Sequence, residues 1–348
     1  MTPRAVVVPL LAALGALALL TALLAVLGYA PGPALEALAS GAFGSRGAWT
    51  ATLLKTCPLL LTGLAVALSF RAGVWNIGAE GQLYAGALVA TAVATRIASD
   101  APALVLVPFV ALAGAAGGAA LAGIAGILRA TRGVSEVITT ILLNFVAIQA
   151  VALAVHGPLQ EAGASYPQSD PLPVAALLPA WGRIHAGVVC AGVLAVLAQV
   201  LVFRTALGFR LRAVGLSPLA ARFAGISPER HGVVAIALAG ALAGLAGAFE
   251  VAGVTGRLYE GLSPGYGYTA IAVALLGRLS PLALVPAALF FGALEAGAGA
   301  MQRVAGVPAV VTQIVQGLVI LLVVGIPLGA SAARGRARAS AVRDAEGA

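Results

Sequence analysis

The chain has 348 residues, 61% hydrophobic and only 9% charged, with a mean hydropathy of +1.04. Soluble domains carry about 25% charged residues, so this chain cannot cover itself with a polar surface and a soluble fold is excluded. The formal charge of +8 fits arginines marking one membrane face rather than nucleic-acid binding, and such continuous apolarity calls for helices, since barrel strands would alternate polar and apolar residues.

The first apolar run, 5–28, is about twice as long as the 7–15-residue core of a signal peptide and reads as an uncleaved span. A span needs about 20 apolar residues to cross about 30 Å of hydrocarbon. By that measure nine further runs follow: 51–70, 80–98, 102–128, 136–155, 184–203, 231–253, 267–278, 281–299 and 308–329. The expected fold is an all-α, polytopic membrane helix bundle of about ten spans, with eight to ten compatible with the pattern. Residues 1–330 form the transmembrane domain and 331–348 an Arg-rich cytoplasmic tail. The run 267–278 is short and bounded by glycine, the mark of a half-helix or re-entrant segment.

With the N-terminus inside, Arg46, Lys55, Arg96, Arg183, Arg257 and Arg303 fall outside, and the other fourteen of the twenty basic residues fall inside. That bias obeys the positive-inside rule and places both termini in the cytoplasm. Cys57 and Cys190 lie in apolar runs, as small hydrophobes do, and no cluster of metal-ligand spacing occurs.

Two loops are long. The external loop 156–183 holds prolines that forbid a long helix. The cytoplasmic loop 204–230 holds five arginines. Within it, Ser217 reads as an N-cap, Pro218 as a first-turn proline, "LAARFA" as a short amphipathic helix and Gly225 as its stop. A capped helix across a basic loop reads as a docking feature, where the alternative, a solvated basic loop that merely obeys the charge rule, would need no caps.

Polar groups at membrane depth are costly and face other helices, a cavity or a substrate path. In "SFRAGVWNIGAEGQLYAGA" (69–87), Asn76, Glu80 and Tyr84 share one helical face, with Gln82 beside them and glycines that permit irregular backbone. In 133–147, Glu136, Thr140 and Asn144 share a face; Glu136 is equally a first-turn residue complementing the helix dipole next to a Ser135 cap. Later come Glu250, Tyr266, Tyr268, Glu295, Gln313 and Gln316. Gly114/Gly118 and Gly240/Gly244, each spaced by four, allow close helix approach. No GxxxxGK[ST] loop is present, so ATP is not bound in that way.

Four stretches, "FRAGVWNIGAEGQ" (70–82), "GVSEVITTILLNFVA" (133–147), "TALGFRLRAVGLSPLAARFAGI" (205–226) and "YTAIAVALLGRLSP" (268–281), together resemble the permease subunits of bacterial ABC importers, in the nucleoside and simple-sugar branch of the ribose and branched-chain amino acid permease superfamily. The resemblance runs from about residue 50 to 329. It implies a dimer with a second, related permease or another copy, a cytoplasmic ATPase that uses the ATP, an extracytoplasmic solute-binding protein, and no cofactor or catalysis on this chain. The loop 204–230 then resembles the segment that couples to the ATPase, through Arg212, Gly215, Pro218, Ala221, Arg222 and Gly225. It departs from the better-known coupling signature: Leu219–Ala221 stands where a Glu-Ala-Ala run is expected. Asn76, Glu80, Gln82, Tyr84, Glu136, Asn144, Tyr266, Tyr268 and Gln313 are the expected translocation-path residues, with amides and carboxylates for ribose and base edges and Trp75 or the tyrosines for a base.

The substrate expected from the resemblance is a nucleoside, with a simple sugar as the alternative. A secondary transporter would use Glu80 or Glu136 to couple an ion, but the basic loop and the motif order argue against it. A non-transporting scaffold would use the same polar residues only to join helices. The span count puts 73–84 near the cytoplasmic mouth, whereas a re-entrant course would carry it to the midplane.

Overall fold

The computed structural model describes residues 4–97, 102–163, 166–308 and 310–318. The tail 331–348 and most of the last expected span lie outside the described residues. The chain folds into α1 (Arg4–Val26), α2 (Pro31–Phe43), α3 (Arg46–Arg71), α4 (Ala79–Ile97), α5 (Ala103–Arg132), α6 (Glu136–Val155) and α7 (Ala186–Arg204). Then come α8 (Ala206–Leu216), α9 (Pro218–Phe223), α10 (Pro228–Glu250), α11 (Tyr266–Leu276), α12 (Pro281–Ala305) and α13 (310–318). Among the described residues, six helices are long and apolar enough to cross a membrane by length and composition.

The bundle has two ends. One carries Arg71, Arg129 and Arg204 at the last turns of α3, α5 and α7. The other carries the segment 156–185, where the prolines forbid a long helix and the described residues hold a 3-10 turn (Val174–Ala176) and a two-stranded hairpin, β1 (Ala180–Trp181) with β2 (Ile184–His185). This segment grips the chain after α10: Leu258 N–H donates to Ser169 Oγ at 3.0 Å, and Arg257 pairs with Glu161.

The centre is α3, buried almost continuously from Thr56 to Ser69. Beside it, α4, α5 and α10 meet through glycine. A Cβ on Gly118 would strike the Gly240 carbonyl oxygen and the Gly244 backbone, and one on Gly86 would strike Gly244. Without a hydrophobic drive between helices in lipid, such close backbone packing is what holds them.

Three features depart from the sequence reading. The helix α2 stands where no element is expected, its buried Leu38 against Gly297 of α12. The basic loop contains a second helix, α8, ahead of α9; its arginines and glycines hide its buried side, which is only Gly208, Leu211 and Val214. The helix α3 begins at Arg46 rather than 51, so Lys55 is not a boundary charge but sits nine residues, about 14 Å, along the helix.

Candidate functional site

The break between α3 and α4 is made by Gly73, whose φ of 72° is left-handed, a conformation glycine adopts without a Cβ penalty. From there the backbone climbs alongside α6. Trp75 N–H donates to Glu136 Oε1 at 3.3 Å, Ile77 N–H to Thr140 Oγ1 at 3.2 Å and Gly81 N–H to Asn144 Oδ1 at 2.8 Å. Asn144 Nδ2 returns a bond to the Ile77 carbonyl at 2.9 Å. Two extended residues advance about 6.6 Å and four helical residues about 6 Å, so one face of α6 serves as a rack for the irregular strand.

Depth follows from the same ladder. Asn144 is eight residues beyond Glu136, so α4 starts about 12 Å in from the start of α6. Its first N–H groups have no partner within the helix, and there water cannot supply one. Asn144 satisfies Gly81, and Asn76 Oδ1 accepts from Gly78 N–H at 2.9 Å. Asn76 and Gln82 close on each other through two hydrogen bonds, Asn76 Nδ2 donating to Gln82 Oε1 at 3.0 Å and Gln82 Nε2 to Asn76 Oδ1 at 2.9 Å.

Glu80, 2% exposed, joins a second broken helix. Its Oε2 accepts from Gly267 N–H, in the first turn of α11, at 2.6 Å. Ser263 Oγ caps the same helix, accepting from Gly265 and Tyr266 N–H at 3.1 and 3.0 Å. Tyr84 holds Ser263 in place by accepting its N–H at 3.2 Å. The two helix starts touch so closely that a Cβ on Gly267 would overlap the Glu80 backbone. Glu80 thus lies in the first turn of α4 and against the first turn of α11, where two positive dipole ends offset its charge. A transporter with paired half-helix starts can hold an anionic substrate there; here the chain's own carboxylate holds that place.

The expected path residues therefore separate. Asn76, Glu80, Gln82, Tyr84, Glu136 and Asn144 come together in one network. Tyr266 is buried beside it; its hydroxyl accepts from Lys55 Nζ at 2.9 Å. Tyr268 is 42% exposed, Trp75 is exposed and packs on Phe70, and Gln313 is exposed on α13, apart from the network. Its neighbour Gln316 turns inward, between Glu295 Oε2 at 3.3 Å and Thr269 Oγ1 at 3.4 Å. Ser135 makes no side-chain cap, and Glu136 instead pairs with Arg129 at 3.3 Å. Sequence reasoning missed Ser263 and Gly267, although "LSPGYG" before an apolar run is a turn-and-cap signature.

The basic segment 204–230 packs on the same break. Thr205 caps α8 through Gly208 N–H at 3.1 Å, and Ser217 caps α9 through Ala220 N–H at 3.2 Å. Gly215 lies directly on the Arg71 carbonyl and Gly73. Pro218 opens α9, Ala221 is its buried contact, and Gly225 ends the turn with a φ of 77°. Arg212 stacks on Phe203 and Arg222 pairs with Glu229, so both arginines are engaged within the chain. Beside the exposed charges of Arg210, Arg222 and Arg230, three apolar side chains project: Leu216, Leu219 and Phe223 are 88%, 68% and 86% exposed. A cavity of about 250 Å3 separates α9 from the break, lined by Gly73, Arg129, Pro218 and Arg222 among others.

Spans interrupted at depth, with helix starts satisfied by side chains, are the construction of a membrane transport protein. A family model described as "Branched-chain amino acid transport system / permease component" matches residues 49–324, and the chain belongs to that family. It is similar to the glucose ABC transporter permease protein TsgB13 of Haloferax volcanii, 39% identical over 91% of this chain and 86% of that one. It is also similar to the guanosine ABC transporter permease protein NupP of Bacillus subtilis, 36% identical over 91% and 92%, and to the nucleoside ABC transporter permease protein NupB of Lactococcus lactis, 33% identical over 92% and 91%. The chain is a permease subunit of an ABC transporter and a multi-pass protein of the cytoplasmic membrane, working with a separate ATPase and a solute-binding protein.

Proposed function

We propose that this permease forms the translocation path of a nucleoside importer, with the arginine-rich end in the cytoplasm and about ten spans. Two relatives whose names specify guanosine or nucleoside match over nine-tenths of both chains, which supports that substrate. The glucose permease relative supports the alternative, a simple sugar. A second related permease, or another copy of this chain, completes the path. ATP is used by the partner ATPase, and this chain binds no cofactor.

The observation that carries the reading is the continuous mechanical link from an exposed apolar ridge to two buried helix starts. Leu216, Leu219 and Phe223 offer the ATPase a surface. Movement of α9 reaches α8, whose Gly215 rests on Gly73. Gly73 begins the segment that carries Asn76 and Glu80, and Glu80 is bonded to α11. Closure of the ATPase on ATP thereby shifts α4 and α11 against α6. The Asn76–Gln82 pair and the Tyr84–Ser263 contact travel with those helix starts and keep them hydrogen-bonded as they move. Tyr268, half-exposed at the start of α11, is the aromatic group placed to meet a base.

The test is uptake by proteoliposomes holding the permease pair and ATPase, supplied with the binding protein. Guanosine accumulation should require ATP hydrolysis. Accumulation driven by a pH gradient without the ATPase would overturn the reading in favour of a secondary transporter. Replacing both Leu219 and Phe223 by glutamate should abolish co-purification of the ATPase while leaving the permease folded, because both side chains project from the bundle. Co-purification at the wild-type level would place the docking surface elsewhere.

A further inference from the structure

A second cleft opens where the start of α8 meets the start of α10. Its volume is about 520 Å3, and its walls carry Leu207 and Arg210 of α8 with Ser227, Arg230, His231 and Val234 at the cap and first turns of α10. Among the described residues no carboxylate lines it. Both arginines are exposed, and among the described residues neither joins an ion pair. Glu229, the carboxylate next to Arg230 in the chain, is already paired with Arg222. The α10 wall is fixed by its cap: Arg230 N–H donates to Ser227 Oγ at 3.3 Å, and His231 Nδ1–H to the Ser227 carbonyl at 2.8 Å.

Two guanidiniums on one cleft, with no acidic group between them, call for an anion. Each offers a rigid fork of N–H donors that fits the oxygens of a phosphate. The surface beneath them says which kind. Val234 and Leu238 follow Arg230 at spacings of four, so the three share one side of α10. Val234 is 39% exposed. Leu238 and Leu207 are half-buried and pack against one core group, which includes Val202, Leu211 and Ile236. From Arg230 to Leu238 the helix advances about 12 Å, and α10 is one of the six long apolar helices. A charged mouth above an apolar wall that runs into the bilayer has the shape and polarity of a phospholipid. A carboxylate of the ATPase, or a free phosphate, would satisfy the arginines and leave the apolar wall unmatched.

We propose that this cleft binds one anionic phospholipid, its phosphate bridging Arg210 of α8 and Arg230 of α10 and one acyl chain lying along Val234 and Leu238. A net negative headgroup is favoured, because a zwitterionic one brings a cation of its own to the two arginines. The bridge ties α8, which rests on Gly73, to a long apolar helix. The proposal goes beyond the nucleoside reading and needs only that this end of the chain lies at a bilayer surface.

The test reconstitutes the permease with its ATPase in nanodiscs of equal parts phosphatidylglycerol and phosphatidylcholine, releases the complex into mild detergent, and counts the retained lipid by native mass spectrometry. At a membrane surface one arginine favours an anionic lipid roughly fivefold, so the wild type should retain phosphatidylglycerol over phosphatidylcholine by about tenfold or more. Arg210→Gln and Arg230→Gln should each lower that ratio several-fold, and the double variant should bring it towards one. Both side chains are exposed, so the fold survives, and either single variant carries the test if the double gives too little complex. Arg132→Gln removes an exposed arginine at the end of α5, outside the cleft, and should leave the ratio unchanged. Excess inorganic phosphate should not release the lipid, because it has no chain for the apolar wall; release would assign the cleft to a soluble anion and overturn the proposal. A wild type without preference, cleft variants that keep the wild-type ratio, or an equal fall in Arg132→Gln would reduce the cleft to general surface charge. Loss of the ATPase from the cleft variants at an unchanged lipid ratio would assign the arginines to that partner instead. The readout does not depend on uptake, so a failure of the nucleoside reading would leave the lipid result standing.

Discussion

Asn144→Leu is expected to destabilise the bundle more than any other single change on α6. The side chains are similar in size, so no cavity is made. What is lost is hydrogen bonding. The Gly81 N–H and the Ile77 carbonyl both depend on the Asn144 amide, at 2.8 and 2.9 Å. Asn144 is fully buried, so water does not replace it. Each buried group left unpaired costs about 1–3 kcal/mol, or roughly 2–6 kcal/mol for the two. Interhelical bonds in membranes average only about 0.6 kcal/mol when the freed groups find other partners. Here the freed groups are backbone at a helix start, held in place by Asn76, Gln82 and Glu80, so the larger figure applies. Thr140→Val removes one partner, Ile77 N–H, and should cost about 1 kcal/mol. The measurement is the midpoint of heat-induced loss of monodisperse protein in detergent. Asn144→Leu should lower it by several degrees more than Thr140→Val. Equal midpoints for the two variants would mean that α6 packs against α4 without needing the amide.

This network was half legible in the sequence. The spacing of Glu136, Thr140 and Asn144 gives their shared face, and the glycines of 73–81 give an irregular segment. That the two stretches bind each other is a contact across about sixty residues of chain, and no periodicity within either stretch encodes it. The depth of α4 was open for the same reason: it is fixed by which rung of α6 meets Gly81. The partner of Glu80 is a backbone N–H, which leaves no trace in residue type. The long apolar helices were legible because lipid demands unbroken apolarity over a fixed length. The helix α2 was not, since its 13 residues fall short of a span and its buried side is made of Ala34, Ala37, Leu38 and Ala42. Lys55 illustrates a subtler failure: a positive charge near the end of an apolar run reads as a boundary marker, and only the true start of α3 shows that it lies inside.

Gly215→Val should uncouple transport from ATP hydrolysis while leaving the complex assembled. A Cβ at this position would overlap the Arg71 carbonyl oxygen, and Gly73 N lies 3.0 Å from it. Both contacts are backbone at the end of α3, which Arg71 itself holds by donating to the Leu279 carbonyl at 2.6 Å. Neither can swing away as a side chain would, so α8 must lift off the break. The ridge of Leu216, Leu219 and Phe223 stays exposed, and ATPase docking persists. The motion of α9 is then delivered to a gap rather than to Gly73, and α4 no longer follows it. The number of solute molecules moved per ATP should fall about tenfold or more, the equivalent of about 1.4 kcal/mol of lost coupling, with ATP hydrolysis retained. Gly123→Val is the control, because nothing lies within 4 Å of the Cβ it would add, and its ratio should match the wild type. If Gly215→Val instead lowers transport and hydrolysis in proportion, α8 governs assembly with the ATPase and the stroke reaches α4 by another route.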